Sequence, residues 1–411
     1  TTAIKNIPGS RAPMRFRDVF SAKIIMVPSD TIAIMSHFSE KHRAELPLAA
    51  ETAPICRHYM SAPLIQAAKF EYFCIVASFF LILHPVMTTS IEAVRNSIKN
   101  ELDALNERIG KTLDSSNPLM NQVIGSYLSH KGKQLRPMFV ILTARLFGAS
   151  GSEVIAAAAA VELLHNASLI HDDVVDNSGT RHGNPTINMV WDNHIAVLVG
   201  DFFVSAALHQ AVETANIRIV ETLGRLGKLL SLGEMDQIYN ARYHKLDEEA
   251  YFKIISHKTA SLFVSCVEMG CYAAGITDGR LEKMRRFAEL FGLCFQIKDD
   301  IFDYFNDDAI GKPTGNDLRE GKITLPLLYA LSREELPRHK EMLELSRREQ
   351  LNQEEIASLI AFAKEAAGID YAYATMQRLR DEAAAIIAEF PQGSETRGLL
   401  GIFDSVIARR Q

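Results

Sequence analysis

The chain lacks a cysteine framework. Its five cysteines stand at 56, 74, 266, 271 and 294, an odd number with no C-x-x-C pair. That argues against a disulfide scaffold and a zinc site, and for reduced core thiols of a cytoplasmic protein. A basic excess is also missing: 44 Lys and Arg face 50 Asp and Glu, a net charge of −6. A nucleic-acid binder would carry a basic footprint, so none is expected as a partner. Nor is there convincing strand-like alternation, which leaves helices as the expected element. In the first 86 residues the one apolar run, Tyr72 to Leu83, is twelve long. A membrane-spanning helix needs about 20, and the run lies too far from the start to read as a secretory signal.

Composition changes near residue 87. Residues 1–86 hold seven of the 14 prolines and a local charge of +3, without periodicity. Residues 87–411 carry −9 and long amphipathic stretches with few breakers. Between Glu92 and Leu113, for instance, Val94, Ile98, Leu102, Leu105 and Ile109 recur at helical steps. We therefore expect an N-terminal extension over 1–86 outside the main fold, with Met87 as the functional start, and one large domain over 87–411. The alternative is a transit peptide, with which Asp18, Asp30, Glu40 and Glu45 fit poorly.

What is present is one acidic pattern, twice: Asp172-Asp173-Val174-Val175-Asp176 and Asp299-Asp300-Ile301-Phe302-Asp303. On a helix the first and last Asp of each D-D-x-x-D box share a face, with the second beside them. Carboxylates packed so closely repel unless cations neutralise them. Their hard oxygens suit Mg²⁺, which in turn holds substrate phosphates. Each box follows apolar sequence, Ser168-Leu169-Ile170 or Phe295-Gln296-Ile297. A solvated surface is therefore a poor explanation for both, since buried charges need partners or metals.

Basic groups accompany the boxes. Lys133 and Arg136 stand three apart in Gly132-Lys133-Gln134-Leu135-Arg136-Pro137, a step at which both reach one anion. His165 lies seven residues before Asp172, and Arg181 five after Asp176. Lys258, Thr259, Gln296, Lys312 and Lys322 add donors in the second half. Taken alone, each of these reads as surface or core. Together they suggest two phosphate sites, one reached through metal and one bound directly by Lys, Arg and His.

At this point the chain resembles the trans-isoprenyl diphosphate synthase, or polyprenyl synthetase, family over roughly 87–411. The stretch from Glu162 to His171 leading into the first box, and Phe295-Gln296-Ile297-Lys298 leading into the second, match its two aspartate-rich motifs. So do Gly132–Pro137, Leu198-Val199-Gly200-Asp201, Lys258-Thr259-Ala260, and Gly311-Lys312-Pro313 with Gly321-Lys322-Ile323-Thr324-Leu325-Pro326, in order.

The resemblance implies an all-α single bundle around a central cavity, the isoprenoid synthase type. The six box aspartates would hold about three Mg²⁺, with Mn²⁺ as a substitute. Arg181, Lys258, Thr259, Gln296, Lys312 and Lys322 would assist with an allylic diphosphate, farnesyl or geranylgeranyl. Lys133, Arg136 and His165 would bind isopentenyl diphosphate, and two copies would pair as a homodimer. The family normally has two Arg before Gly183, but the second is His182 here, a shorter and mostly neutral donor at pH 7.

The resemblance also bears on product length. Ala167 and Ser168, one turn before Asp172, are small where short-chain members often place an aromatic floor; Leu164 would line the wall beyond. A long all-trans product, a quinone side-chain precursor, is expected, with peripheral membrane association through its lipophilic tail. Class I terpene cyclases and head-to-head condensing enzymes would not need the Lys133, Arg136 and His165 set. A non-catalytic subunit of a heteromeric synthase has no reason to keep all six Asp.

Overall fold

The computed structural model describes residues 91–129, 132–181, 183–244, 246–305, 314–348 and 350–408. His182, Lys312 and the whole 1–86 segment, including the Tyr72–Leu83 run, lie outside the described residues. The described chain is helical, as the resemblance implied. It begins with α1 (Ile91–Ser97), α2 (Lys99–Thr112), α3 (Pro118–Leu128), α4 (Leu135–Leu146) and α5 (Ser152–Val175). A two-residue hairpin, β1 (Thr180–Arg181) and β2 (Asn184–Pro185), leads to α6 (Ile187–Val190), α7 (Asn193–Glu213), α8 (Ile217–Tyr243) and α9 (Glu248–Ile255). A π-helical turn (Ser256–Ala260) then joins α9 to α10 (Ser261–Ala273), followed by α11 (Gly279–Phe302). The last part comprises α12 (Asn316–Arg319), α13 (Leu325–Leu331), α14 (His339–Leu345), α15 (Gln353–Glu365), α16 (Gly368–Ala388) and α17 (Ser394–Ala408).

Local chemistry explains the boundaries. Asn117 caps α3 by accepting from the N–H groups of Leu119 and Met120, with Pro118 at the first helical position. Asn352 and Glu355 form a reciprocal capping box on α15. The periodic stretch from Glu92 to Leu113 is two helices, broken at Ile98, whose φ of −122° leaves the helical range. Its five apolar residues are nonetheless all buried, because the break keeps them on the core side.

The core is built on α5, which packs along α7, α4 and α10. Ala156 to Ala160 are wholly buried there, small residues that let neighbouring helices come close. Beside it Phe139, Phe263, Phe287, Phe291 and Phe403 join α4, α10, α11 and α17 in tilted and edge-on ring contacts. Such pairs add about 0.5–1.5 kcal/mol each beyond their burial. A smaller cluster around Tyr304, Leu318, Leu327, Ile356 and Phe362 holds α12, α13 and α15 together. The hairpin is the exception to the all-helical expectation. Thr180 pairs with Pro185 and Arg181 with Asn184, too short a ladder to show as alternation.

Candidate active site

The first box occupies the last turn of α5, with Asp176 as its C-cap. Its three carboxylates differ in surroundings. Asp173 is buried and held by Arg181, whose Nε and Nη2 lie 2.9 and 2.7 Å from Oδ1. The hairpin turns the chain so that Arg181 points back at the helix it has just left. Burial is the main reason the Asp172 carboxyl is pushed up to about 6, with Glu234 and Asp176 adding repulsion against the pull of Lys258 and Arg181. Asp176 is also raised, first by desolvation, then by Glu320 and Glu234 against Lys322 and Lys258.

The second box ends α11. Asp300 is buried and accepts from Tyr251 Oη at 2.6 Å and Gln296 Nε2 at 2.8 Å. Asp303 accepts from the backbone N–H groups of Asn316 and Asp317 at 2.9 and 3.1 Å. It therefore staples the chain that returns toward Lys322. Asp299 is half-buried on the same helix and acts electrostatically on Arg136. Burial first, and then the negative charges of Asp300 and Asp303, hold the Asp317 carboxyl well above its usual range.

Two lysines stand beside the first box. Lys258 pairs with Glu234 at 2.5 Å, donates to Gln237 at 3.2 Å, and acts on both Asp172 and Asp176. Lys322 pairs with Glu320 at 2.5 Å and is influenced by Asp176 and Asp317. Lys258 stands on the π-helical turn, a distortion frequent at functional sites. That turn is wedged between two helices at glycines. A Cβ on Gly233 would lie 2.8 Å from Lys258 N, and one on Gly292 would collide with the Ala260 backbone.

Thr259, Gln296 and Asp300 form a chain: Thr259 Oγ1 donates to Gln296 Oε1 at 2.6 Å, and Gln296 passes the contact on to Asp300. A cavity of about 150 Å³ opens here, lined by Lys258, Thr259, Gln296, Asp300, Lys322, Gln237, Tyr251 and Asp317 among others.

A second polar cluster lies on α4 and α5. Arg136 stacks over the Phe263 ring at 5.3 Å and faces Glu162. Burial lowers the Arg136 pKa and raises that of Glu162. Arg136 Nε and Glu162 Oε2 are buried without a hydrogen-bond partner, an arrangement that suits a polar ligand. His165 is held far below its ordinary range by burial and by Arg136 and Arg181, so it is neutral at pH 7. Lys133 is exposed beside this cluster; its carbonyl accepts from Arg95 at 2.7 Å, and Gln134 next to it takes a left-handed φ of +53°.

The Leu198–Asp201 motif has a visible reason: His171 Nε2 lies 3.3 Å from Val197 O and 3.4 Å from Asp201 Oδ1, tying α5 to α7. Of the residues before the first box, Ala167 is wholly buried, Leu164 nearly so, and Ser168 half-buried.

The described residues thus place both boxes, Lys258, Thr259, Gln296 and Lys322 around one region, and Arg136 with His165 beside it. Sequence reasoning missed Glu162, Glu234, Gln237, Tyr251 and Asp317. Glu234 and Gln237 carried a faint signal, two polar residues three apart in Gly233-Glu234-Met235-Asp236-Gln237. Tyr251 and Asp317 carried none.

No three His, Cys, Asp or Glu side chains among the described residues stand close enough to hold an ion by themselves. The donor set is all oxygen, and the Asp172, Asp176, Asp300 and Asp303 carboxyls are raised first by burial and then by neighbouring carboxylates. That fits a hard cation which takes one or two carboxylates and completes its shell with substrate phosphates.

An all-α bundle that carries two acidic boxes, with Lys258 and Lys322 beside the first, presents an oxygen-rich site suited to a hard cation. The polyprenyl synthetase family model matches residues 117–363, and the chain belongs to that family of prenyltransferases. It is 34% identical to the octaprenyl diphosphate synthase of Haemophilus influenzae over 72% of this chain and 88% of the relative. It is equally 34% identical to a short chain isoprenyl diphosphate synthase of Methanocaldococcus jannaschii, over 67% of this chain and 84% of the relative. The crystal structure of a polyprenyl synthase from Caulobacter crescentus, complexed with calcium and isoprenyl diphosphate, superimposes with a TM-score of 0.72. That pair shares 32% identity over 78% of this chain and 98% of the other.

Proposed function

We propose that residues 87–411 condense isopentenyl diphosphate with an allylic diphosphate primer, farnesyl or geranylgeranyl, to give a long all-trans polyprenyl diphosphate. The observation that carries this reading is the pair of distinct anion sites. One has Lys258 and Lys322 among the acidic boxes; the other has Arg136 with an unpaired Nε beside neutral His165.

Asp172, Asp176 and Asp299 are the residues we assign to Mg²⁺, about three ions per site being the family expectation. Bound there, Mg²⁺ would supply Lewis-acid stabilisation of the departing pyrophosphate. Lys258, Lys322, Lys312 and Arg181 neutralise the same leaving group from the protein side, the electrostatic contribution that usually dominates. Arg181 acts partly through Asp173, which it locks against the hairpin. Lys133 and Arg136 hold isopentenyl diphosphate so that its double bond faces the allylic carbon, turning a bimolecular step into an oriented one. The buried ring of Phe263 and the partly buried ring of Phe295 pack together behind Arg136 and help exclude water, which would otherwise quench the allylic cation. The proton lost after the new bond forms goes to the released pyrophosphate.

A long product is favoured by the small Ala167 and Ser168 and by the similarity to heptaprenyl, octaprenyl and nonaprenyl diphosphate synthases. A terpene cyclase would have no use for the Arg136 cluster. We propose a homodimer through α7, whose Val197, Leu198, Val204, Leu208 and Val212 expose one apolar face. Cytoplasmic residence, with peripheral membrane contact through the product, completes the reading; residues 1–86 are an extension outside the catalytic domain.

The test is turnover of isopentenyl diphosphate with farnesyl diphosphate and Mg²⁺, with product sizing. A ladder of long polyprenyl products is expected, and a cyclic hydrocarbon or no product would refute the reading. A second measurement concerns His182. His182→Arg should lower the Michaelis constant for isopentenyl diphosphate several-fold while leaving the primer's nearly unchanged, because a guanidinium fork outbinds a neutral imidazole. An unchanged or higher constant would give His182 another role.

A further inference from the structure

Asp300 is better placed to align its neighbours than to hold an ion. Both of its oxygens are engaged by protein donors: Tyr251 Oη at 2.6 Å on Oδ2 and Gln296 Nε2 at 2.8 Å on Oδ1. Tyr251 and Asp300 are both buried at the edge of the cavity, so loss of either partner leaves no other protein group fixed in its place. The chain of contacts continues. With Nε2 committed to Asp300, the amide of Gln296 must turn Oε1 toward Thr259, which donates to it at 2.6 Å. Thr259 follows Lys258 on the π-helical turn, and Gln296 lies less than one turn from Asp299 on α11.

We propose that Tyr251 is a positioning residue for diphosphate binding. Through Asp300, Gln296 and Thr259 it locks the turn carrying Lys258 to the helix carrying Asp299, and so sets the spacing between the ammonium and the metal-binding carboxylate. In this scheme Asp300 serves as the hub of that lock and not as an ion ligand, a revision of its expected role. The inference rests on the prenyl-transfer reading above, but its test separates the two.

Removing one hydroxyl leaves Asp300 Oδ2 without its buried donor and frees the carboxylate to rotate. The Gln296 amide then loses its fixed orientation. Misplacing a charged group at a reacting centre by about 1 Å can cost on the order of 10²-fold in rate.

The experiment compares wild type, Tyr251→Phe and Thr259→Val, which breaks the same chain at its other end without touching Asp300. Three quantities are read: kcat, the Mg²⁺ concentration giving half-maximal rate, and the affinity for inorganic pyrophosphate with Mg²⁺ by calorimetry. Both variants should lower kcat at least ten-fold, with a Mg²⁺ midpoint within two-fold of wild type and pyrophosphate bound several-fold more weakly. A wild-type kcat in Tyr251→Phe overturns the proposal. So does a Mg²⁺ midpoint that rises in step with the loss of rate, because Asp300 would then be an ion ligand. Should Tyr251→Phe fail to fold, Thr259→Val alone decides by the same criteria. If wild type itself elongates no primer, it is the prenyl-transfer reading that fails.

Discussion

Asp172→Ala is expected to abolish elongation while leaving the bundle folded. Removing one carboxylate from a metal site forfeits several kcal/mol of transition-state stabilisation, or about three orders of magnitude in rate. Asp176→Ala and Asp299→Ala should fall nearly as far. The same position should also reveal a trade between function and stability. Asp172 keeps its proton up to about pH 6 in the folded chain, against about 3.9 in an unfolded one. Folding therefore becomes costlier as pH rises from about 4 to 6, and the full cost stands at pH 7. A shift of roughly two pKa units corresponds to an order of 2–3 kcal/mol. Asp172→Asn escapes that cost. Without metal it should melt at a higher temperature than wild type at pH 7.5, and the difference should vanish below about pH 4. Retained turnover with intact helicity in Asp172→Ala would contradict the assignment; an equal melting gain at both pH values would remove the electrostatic explanation.

Ser168→Phe should convert a long-chain enzyme into a short-chain one. If the tail grows along α5 away from the metals, Ser168 and Ala167 are the first residues it passes. The structure distinguishes them. Ala167 has no exposed surface, so a phenyl ring there must displace neighbouring helices, with an overpacking cost of about 1–3 kcal/mol. Ser168 is half-buried, and its hydroxyl is already satisfied by His165 O at 2.9 Å, so nothing else depends on it. Bulk at 168 should stop products near farnesyl or geranylgeranyl diphosphate with the first condensation largely intact, whereas Ala167→Phe should shorten products and lower the melting temperature together. An unchanged product ladder in Ser168→Phe, or a wild-type enzyme that already stops at farnesyl diphosphate, would refute the long-chain reading.

Much of the site could be read because its parts are written as contiguous words. Each aspartate box is one helical turn, and a turn is a local object whose geometry follows from spacing alone. The periodicity of Val94 to Ile109 identified the buried face for the same reason, although it did not reveal the break at Ile98. Arg181 was legible as a donor near the first box, but its engagement with Asp173 depends on a hairpin too short to show as alternation.

The sequence by itself determined the family, the helical class and which segments carry charge into an apolar interior, since these depend on residue type and local period. Tertiary structure decided what each carboxylate does. Asp173, Asp300 and Asp303 look alike in the two boxes, yet one is bound by Arg181, one by Tyr251 and Gln296, and one by backbone N–H groups of Asn316 and Asp317. Tyr251 reaches Asp300 across 49 residues and Lys258 reaches Glu234 across helices. Such pairings are set by how helices pack, through close approaches such as those at Gly233 and Gly292, and packing is a property of the whole chain that no local pattern encodes.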